Sequence, residues 1–321
     1  MAALNKIMIA GAGTMGAGIA QAAAAAGFKV YLVDLTEELL DRARKILAAN
    51  IDVMISAGLY TDRERYGSEN NIEFIPDRDM EAVADSVDLV FETVFERPDI
   101  KQSVFAKLDR HCRPDCIFCS GTSASDVFSF VNISRKERFL ITHWFNPAYL
   151  MRLVEVVRGP ETSNEVVETV KELLIRLGKK PCVMNRYVPG FIVNRLANAL
   201  CREAGYMITQ GWVTAEEIDE AIKATNGMRY AFEGPMALFD IVGWDLILTG
   251  CRDVFPSLCN ASDTSEFAET LVKEQKLGLK AGSGVYDYDT TEQEFLAERS
   301  KKIIKMHEFL QTLQITSDAC Y

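Results

Sequence analysis

Lys6-Ile-Met-Ile-Ala-Gly-Ala-Gly-Thr-Met-Gly16 opens the chain with a short apolar run that breaks into three glycines. An Ala-rich segment, Ala17 to Ala26, follows, and a second apolar run, Val30 to Val33, ends in Asp34. The order reads as strand, glycine turn, helix, strand, acid. Gly11 permits the tight turn, Gly13 lets backbone approach a pyrophosphate, and Gly16 lets helix and strand pack closely. Thr14 and Met15 fall in the first helical turn, where free N–H groups and the helix dipole favour an anion. Asp34, 23 residues beyond Gly11, is placed to accept hydrogen bonds from the adenosine ribose. The strand before, the helix after and the acid after the second strand make this far more specific than a lone glycine motif. A carboxylate at Asp34, followed by Leu35 and Thr36 rather than Arg, repels a 2′-phosphate. NAD is the expected cofactor, rather than NADP.

Outward from that unit, strands are expected near Glu73–Ile75, Leu89–Phe91, Cys116–Cys119 and Phe139–Thr142. Leu153–Val157 and Cys182–Met184 extend the series. Helical spacing of apolar residues covers Glu37–Leu59, Ile100–Leu108 and Ser163–Leu177, and residues 60–71 read as a polar loop. Alternating strands and helices predict a doubly wound, mainly parallel α/β sheet covered on both faces. Character changes at Tyr187-Val-Pro-Gly190; beyond it nearly every pattern is helical. Thr214-Ala-Glu-Glu217 reads as a capping box, and Glu292–Leu313 as a final amphipathic helix. The expected domains are a Rossmann-like NAD-binding domain over 1–187 and a helical domain over 188–321.

The 321 residues carry a formal net charge of −11, which argues against nucleic acid and an anionic membrane as partners. No apolar stretch reaches the length of a membrane span, and the N-terminus lacks the form of a signal peptide. The eight cysteines form no secreted-type framework and read as reduced thiols of a cytoplasmic protein. Cys112, Cys116 and Cys119 beside His111 lack a second pair at zinc spacing, so no metal is expected.

Among the three histidines, His143 follows the expected strand at Phe139–Thr142. In an open parallel sheet, ligands bind beyond the carboxyl ends of the strands. Glu155 lies in the apolar run Leu153-Val-Glu-Val-Val157, where a carboxylate is costly without a partner. A His143–Glu155 pair would satisfy it and fix the imidazole tautomer. Spacing alone leaves that pair and two unrelated structural residues equally open.

In order along the chain, Gly-Ala-Gly-Thr-Met-Gly16, Glu92-Thr-Val-Phe-Glu96 with Lys101, and Ser120-Gly-Thr-Ser123 are followed by His143-Trp-Phe-Asn-Pro147 and Leu153-Val-Glu-Val156. Pro189-Gly-Phe-Ile-Val-Asn-Arg195 and Gly282-Ser-Gly-Val-Tyr286 complete the series. Together they resemble the 3-hydroxyacyl-CoA dehydrogenases. The resemblance implies a Rossmann-like domain, a helical domain that usually dimerises, and hydride transfer between NAD and the 3-hydroxyl carbon of an L-3-hydroxyacyl-CoA. It makes His143 the catalytic base and Glu155 its paired carboxylate. It gives Ser123 and Asn194 the reacting oxygen, Asn146 a substrate contact, and Glu96 and Lys101 the nicotinamide-ribose side. Two departures stand out. Gly121 occupies a position where the family commonly has Asn. Gly227-Met-Arg-Tyr-Ala-Phe-Glu-Gly-Pro235 replaces the family's Pro-Met-Gly-Pro stretch. This segment resembles gulonate 3-dehydrogenases (lambda-crystallins) and carnitine dehydrogenases, which act on free 3-hydroxy acids. It makes Arg229 a candidate partner for a substrate carboxylate. Residues 48–71, near the lip where the family binds CoA, offer only Arg63 and Arg65 as bases. The main expectation is acyl-CoA; the alternative is a free 3-hydroxy acid, with a non-enzymatic NAD-binding or structural protein behind both.

Overall fold

The structure, a computed structural model, describes residues 4–313. It falls into two compact units, the first ending at Val193 and the second beginning at Asn194. The first is an eight-stranded sheet of β1 (Lys6–Ala10), β2 (Lys29–Asp34), β3 (Ile72–Pro76), β4 (Leu89–Glu92), β5 (Ile117–Ser120), β6 (Phe139–Trp144), β7 (Leu153–Arg158) and β8 (Lys180–Met184). The spatial order is β3-β2-β1-β4-β5-β6-β7-β8. Helices α1 (Thr14–Ala25), α2 (Glu37–Ser56), α3 (Asp62–Asn70), α4 (Glu81–Ala84), α5 (Pro98–His111), α6 (Val127–Phe130) and α7 (Asn164–Arg176) connect them. Strand residues alternate between two cores, as the two-residue period requires. Ile7, Ile9, Val30 and Leu32 pack under α1, α2 and α7. Met8, Ala10, Tyr31 and Val33 face the opposite layer, which holds Phe105 and Leu108 of α5. The fully buried Ala17, Ala20, Ala23 and Ala24 let α1 lie close against the sheet, with its N-terminus at the β1 crevice where strand order reverses.

Two expectations need correction. Residues 60–71 are not a loop, because α3 occupies Asp62–Asn70. Thr61 and Glu64 form a reciprocal capping box, which was readable as Thr-x-x-Glu. Gly67 then packs so tightly on α1 that a Cβ would stand 2.3 Å from the Ala24 carbonyl oxygen. His143 also lies inside β6 rather than after it. β7 runs antiparallel to β6, with Thr142 opposite Val156 and His143 opposite Glu155. The other strand pairs are parallel.

The second unit is helical: α8 (Val193–Thr209, entered one residue earlier), α9 (Ala215–Ile222), α10 (Pro235–Val242), α11 (Trp244–Val254), α12 (Glu266–Lys273) and α13 (Glu292–Thr312). Thr214 and Glu217 form the expected capping box. One π-helical turn, Lys223–Gly227, extends α9. No described helix is long and apolar enough to cross a membrane.

Candidate active site

The glycine turn is built as its residue types require. Gly11 sits at φ +107° and donates its N–H to the Val33 carbonyl at 2.9 Å. A Cβ on Gly16 would stand 1.9 Å from the Gly11 carbonyl oxygen. At Gly13 a Cβ would meet nothing within 4 Å, so the backbone there borders open space. Gly13 is the N-cap of α1, and no side chain caps it. The first-turn N–H groups, including those of Thr14 and Met15, are the kind of free donors a pyrophosphate site requires. Asp34 ends β2; its Oδ2 accepts from the Ala12 N–H at 2.6 Å and its Oδ1 from the Leu35 N–H at 2.7 Å. The carboxylate is thereby oriented at the mouth of the turn, where a ribose would approach. These residues fit a dinucleotide.

Beyond β4 and β5 lies a buried polar network. Lys101, 1% exposed, donates to both oxygens of the fully buried Glu92 at 2.8 and 3.0 Å. Ser120 Oγ donates to the same carboxylate at 2.7 Å. Removing one member of such a pair strands a buried charge, a cost of about 3–5 kcal/mol. Lys101 also lies 3.5 Å from Glu96, which accepts from Thr122. Partial burial raises the Glu96 carboxyl, but bonds from Ser125 and Thr122 and the Lys101 charge outweigh it and hold it below its ordinary value. Lys101 thus sits behind Glu96 and braces it. Ser123 follows Thr122 in the same loop and is exposed. At Gly121 a Cβ would lie 2.7 Å from the Glu92 carbonyl oxygen, so this backbone path excludes the Asn common in the family.

His143 and Glu155 are opposed across β6 and β7, with Nδ1 2.7 Å from Oε2. The ring is 5% exposed and the carboxylate 0%. The other carboxylate oxygen, Oε1, accepts from the backbone N–H groups of Ile192 and Val193, each at 2.9 Å. Those donors are presented by a turn in which Phe191 takes φ +50°, a strained conformation of the kind that collects at functional sites. Burial alone raises Glu155, but the bonds from His143, Val193 and Ile192 overcome it and leave the carboxyl below its ordinary value. Phe145 and Phe191 flank the imidazole, with ring centroids 4.6 and 5.3 Å away. Nδ1 is engaged by Glu155, so Nε2 is the ring nitrogen left for proton exchange. Asn146, next in the loop, is exposed.

Asn194 and Arg229 belong to the second unit. Asn194 lies in the first turn of α8, and its carbonyl accepts from Asn198 at 2.7 Å. Arg229, half-buried, lies just past the π turn and donates to Asn226 Oδ1 at 3.3 Å. Among the described residues no group of three or more His, Cys, Asp or Glu could hold a metal. The seven described cysteines are free, and Cys320 lies outside the described residues. Sequence reasoning missed Glu92, whose signal was an acid closing the apolar run Leu89-Val-Phe. It also missed the Phe191 turn, which carries no local signal beyond Pro189-Gly190.

The profile of 3-hydroxyacyl-CoA dehydrogenase NAD-binding domains matches residues 6–187, and that of the family's C-terminal domain matches 190–288. The chain belongs to the 3-hydroxyacyl-CoA dehydrogenase family. It is an NAD-dependent oxidoreductase. Its relatives divide by substrate. It is 30% identical over 310 residues to the 5-formyl-3-hydroxy-2-methylpyridine 4-carboxylate 5-dehydrogenase of Mesorhizobium japonicum, covering 96% of this chain and 99% of that one. The crystal structure of an enzyme of that name, described as an NAD+-dependent dismutase, superposes with a TM-score of 0.88 at 30% identity over the same shares. The mitochondrial hydroxyacyl-coenzyme A dehydrogenase of Mus musculus is 36% identical over 293 residues, 89% of this chain and 91% of that one. The (S)-3-hydroxybutyryl-CoA dehydrogenase structure from Ralstonia eutropha superposes with a TM-score of 0.73 at 30% identity, over 90% of this chain and 100% of its own.

Proposed function

We propose that this family member uses NAD to oxidise, or NADH to re-form, a hydroxyl carbon on a small free carboxylate rather than on a CoA thioester. The observation that carries the reading is the TM-score of 0.88 over nearly all of both chains with an enzyme whose named substrate is a free pyridine carboxylate, against 0.73 for the CoA enzyme. Local chemistry agrees. Of the two bases at the expected CoA lip, Arg65 is paired with Glu69 at 3.1 Å. Arg229 carries a planar fork suited to a carboxylate, and a thioester offers no such anion. The acyl-CoA expectation stands as the second reading, favoured by the 36% identity to the mouse enzyme.

In this proposal His143 removes the hydroxyl proton through Nε2, and Glu155 stabilises the imidazolium that results. NAD, when bound, supplies the acceptor for the hydride. Gly11, Gly13, Thr14, Met15 and Gly16 hold its pyrophosphate, Asp34 its ribose, and Glu96, braced by Lys101, the nicotinamide side. Ser123 and Asn194 donate to the reacting oxygen as it gains charge, Asn146 contacts the substrate, and Arg229 is the carboxylate partner. The assembly is a homodimer. The second unit presents Ile241, Leu246 and Phe255 at 65%, 62% and 65% exposure, apolar side chains of the kind that an interface covers.

NADH turnover against matched free 3-oxo acids and 3-oxoacyl-CoAs tests the substrate class. Free acids should react and CoA esters should not; the reverse overturns the proposal. Arg229→Met should cut kcat/KM for the free acid on the order of 30-fold, the loss of about 2 kcal/mol from a buried charge contact, and leave NADH affinity unchanged. Equal kinetics for both proteins would remove Arg229 from the substrate site.

A further inference from the structure

Lys179 is a buried lysine for which the chemistry above has no use. It is 7% exposed, and no ion pair with a carboxylate is found for it among the described residues. It follows Gly178 at the end of α7, where its N–H closes the helix on Leu174 at 2.9 Å. Its side chain runs beneath residues 145–152, the connection from β6 to β7. The ammonium donates to the carbonyls of Ala148 at 2.7 Å, Met151 at 2.9 Å and Tyr149 at 3.4 Å. It lies 5.7 Å from the ring centroid of Trp144, the residue beside His143. Three N–H donors thus meet three carbonyls, the full donor capacity of an ammonium.

We propose that Lys179 is a positioning residue for the His143–Glu155 pair, its ammonium drawing three carbonyls inward and so fixing the connection between the strands that carry the two side chains. The inference rests on the reading of His143 as the base. The same connection packs on the cofactor helix. A Cβ on Gly18 of α1 would stand 3.1 Å from Ala148 Cβ and 3.3 Å from the Tyr149 nitrogen. One cation therefore ties the proton-transfer pair to the helix whose first turn receives the pyrophosphate. Without the proton, the amine keeps two N–H groups and turns a lone pair toward a carbonyl. The carbonyl dipoles then repel it, and the connection loosens. Burial, and after it the like charge of Arg152, lowers the Lys179 pKa to about 8. Arg152 is the charged group that bears on it from the connection, and Trp144 faces it from β6 without titrating.

Lys179→Met and Lys179→Arg test this in two ways. The His143 Nδ1 proton, bonded to Glu155, should give a low-field NMR resonance, assigned by its loss in His143→Gln. It should broaden or move upfield in Lys179→Met and persist in Lys179→Arg; an unchanged resonance in Lys179→Met overturns the proposal. In the second test, L-3-hydroxybutyrate and L-3-hydroxybutyryl-CoA are assayed side by side in the oxidation direction. The wild-type rate should fall above about pH 8, as the Lys179 ammonium loses its proton. Lys179→Met should lose kcat on the order of tenfold or more, as small misplacements of a base do, with NADH affinity retained and the alkaline limb gone. Lys179→Arg should keep the rate and shift the limb upward. A Lys179→Met protein with wild-type kcat and an intact limb also overturns the proposal. Should Lys179→Met fail to fold by circular dichroism, Lys179→Arg with an unshifted limb does so in its place. A His143→Gln enzyme that still turns over refutes the base assignment and not the cage around Lys179, because the resonance reports the pair without turnover.

Discussion

Replacing Glu155 by glutamine keeps the side-chain shape and removes one charge, and the structure says which way the amide must turn. Oε1 accepts two backbone N–H bonds, from Ile192 and Val193, each at 2.9 Å. Only an oxygen can stay there, so the new NH2 group faces His143 Nδ1, 2.7 Å from the present Oε2. Nδ1 then becomes an acceptor, the ring proton moves to Nε2, and the nitrogen proposed to take the substrate proton already carries one. Two losses combine. A charge-assisted bond to the imidazolium is worth about 1.5–3 kcal/mol, or roughly 10- to 150-fold in rate. A wrong tautomer in the comparable Asp–His arrangement of serine proteases costs about 10⁴-fold. Glu155→Gln should therefore lose between about 10² and 10⁴ of kcat, measured by NADH absorbance, with NADH affinity from fluorescence titration unchanged. An enzyme with glutamine at 155 turning over at the wild-type rate would refute both the tautomer argument and the pairing.

The same carboxylate sets an acid limit. A carboxyl held below its ordinary value stabilises the fold above the unfolded value of about 4.3, and that stability is lost as pH falls through the folded value; thermal melts should show wild type losing its advantage over Glu155→Gln in acid. Asp34→Ala should weaken NAD binding by about 1.5–3 kcal/mol per lost ribose bond and relax discrimination against NADP, and a wild-type preference for NADP would contradict the role of Asp34. Sedimentation at micromolar concentration should give a particle of twice the 35.8 kDa chain mass, whereas a lone monomer would refute the dimer.

The dinucleotide unit was legible because each of its signals is local. Gly11, Gly16 and Asp34 do their work within one strand–helix–strand stretch, and residue type alone states the constraint. The capping box at Thr214 was read for the same reason, while that at Thr61 was masked by a run of charged residues with few apolar positions. The His143–Glu155 pair was only half legible. Spacing of 12 residues fits both a crossover and a returning strand, and the antiparallel direction of β7 that makes them neighbours is a property of the whole sheet. Glu92 and Lys101 were harder still, since a buried ion pair nine residues apart leaves no periodic trace. Lys179 reads in sequence as one of two adjacent lysines, Lys179 and Lys180, and only packing separates the buried one from its neighbour.

Antiparallel pairing of β6 and β7 gives the short connection at 145–152 an unusual kind of rigidity, one of length. Side chains alternate faces with a period of two, so adding or deleting a single residue there and slipping β7 by one would carry Glu155 to the opposite face of the sheet. A surface loop elsewhere in the chain can grow or shrink at small entropic cost. Here a change of one codon would leave the strands, their hydrogen bonds and most of the core in place while parting the imidazole from its carboxylate. The distance between imidazole and carboxylate in this chain is thus kept by counting residues as much as by packing them.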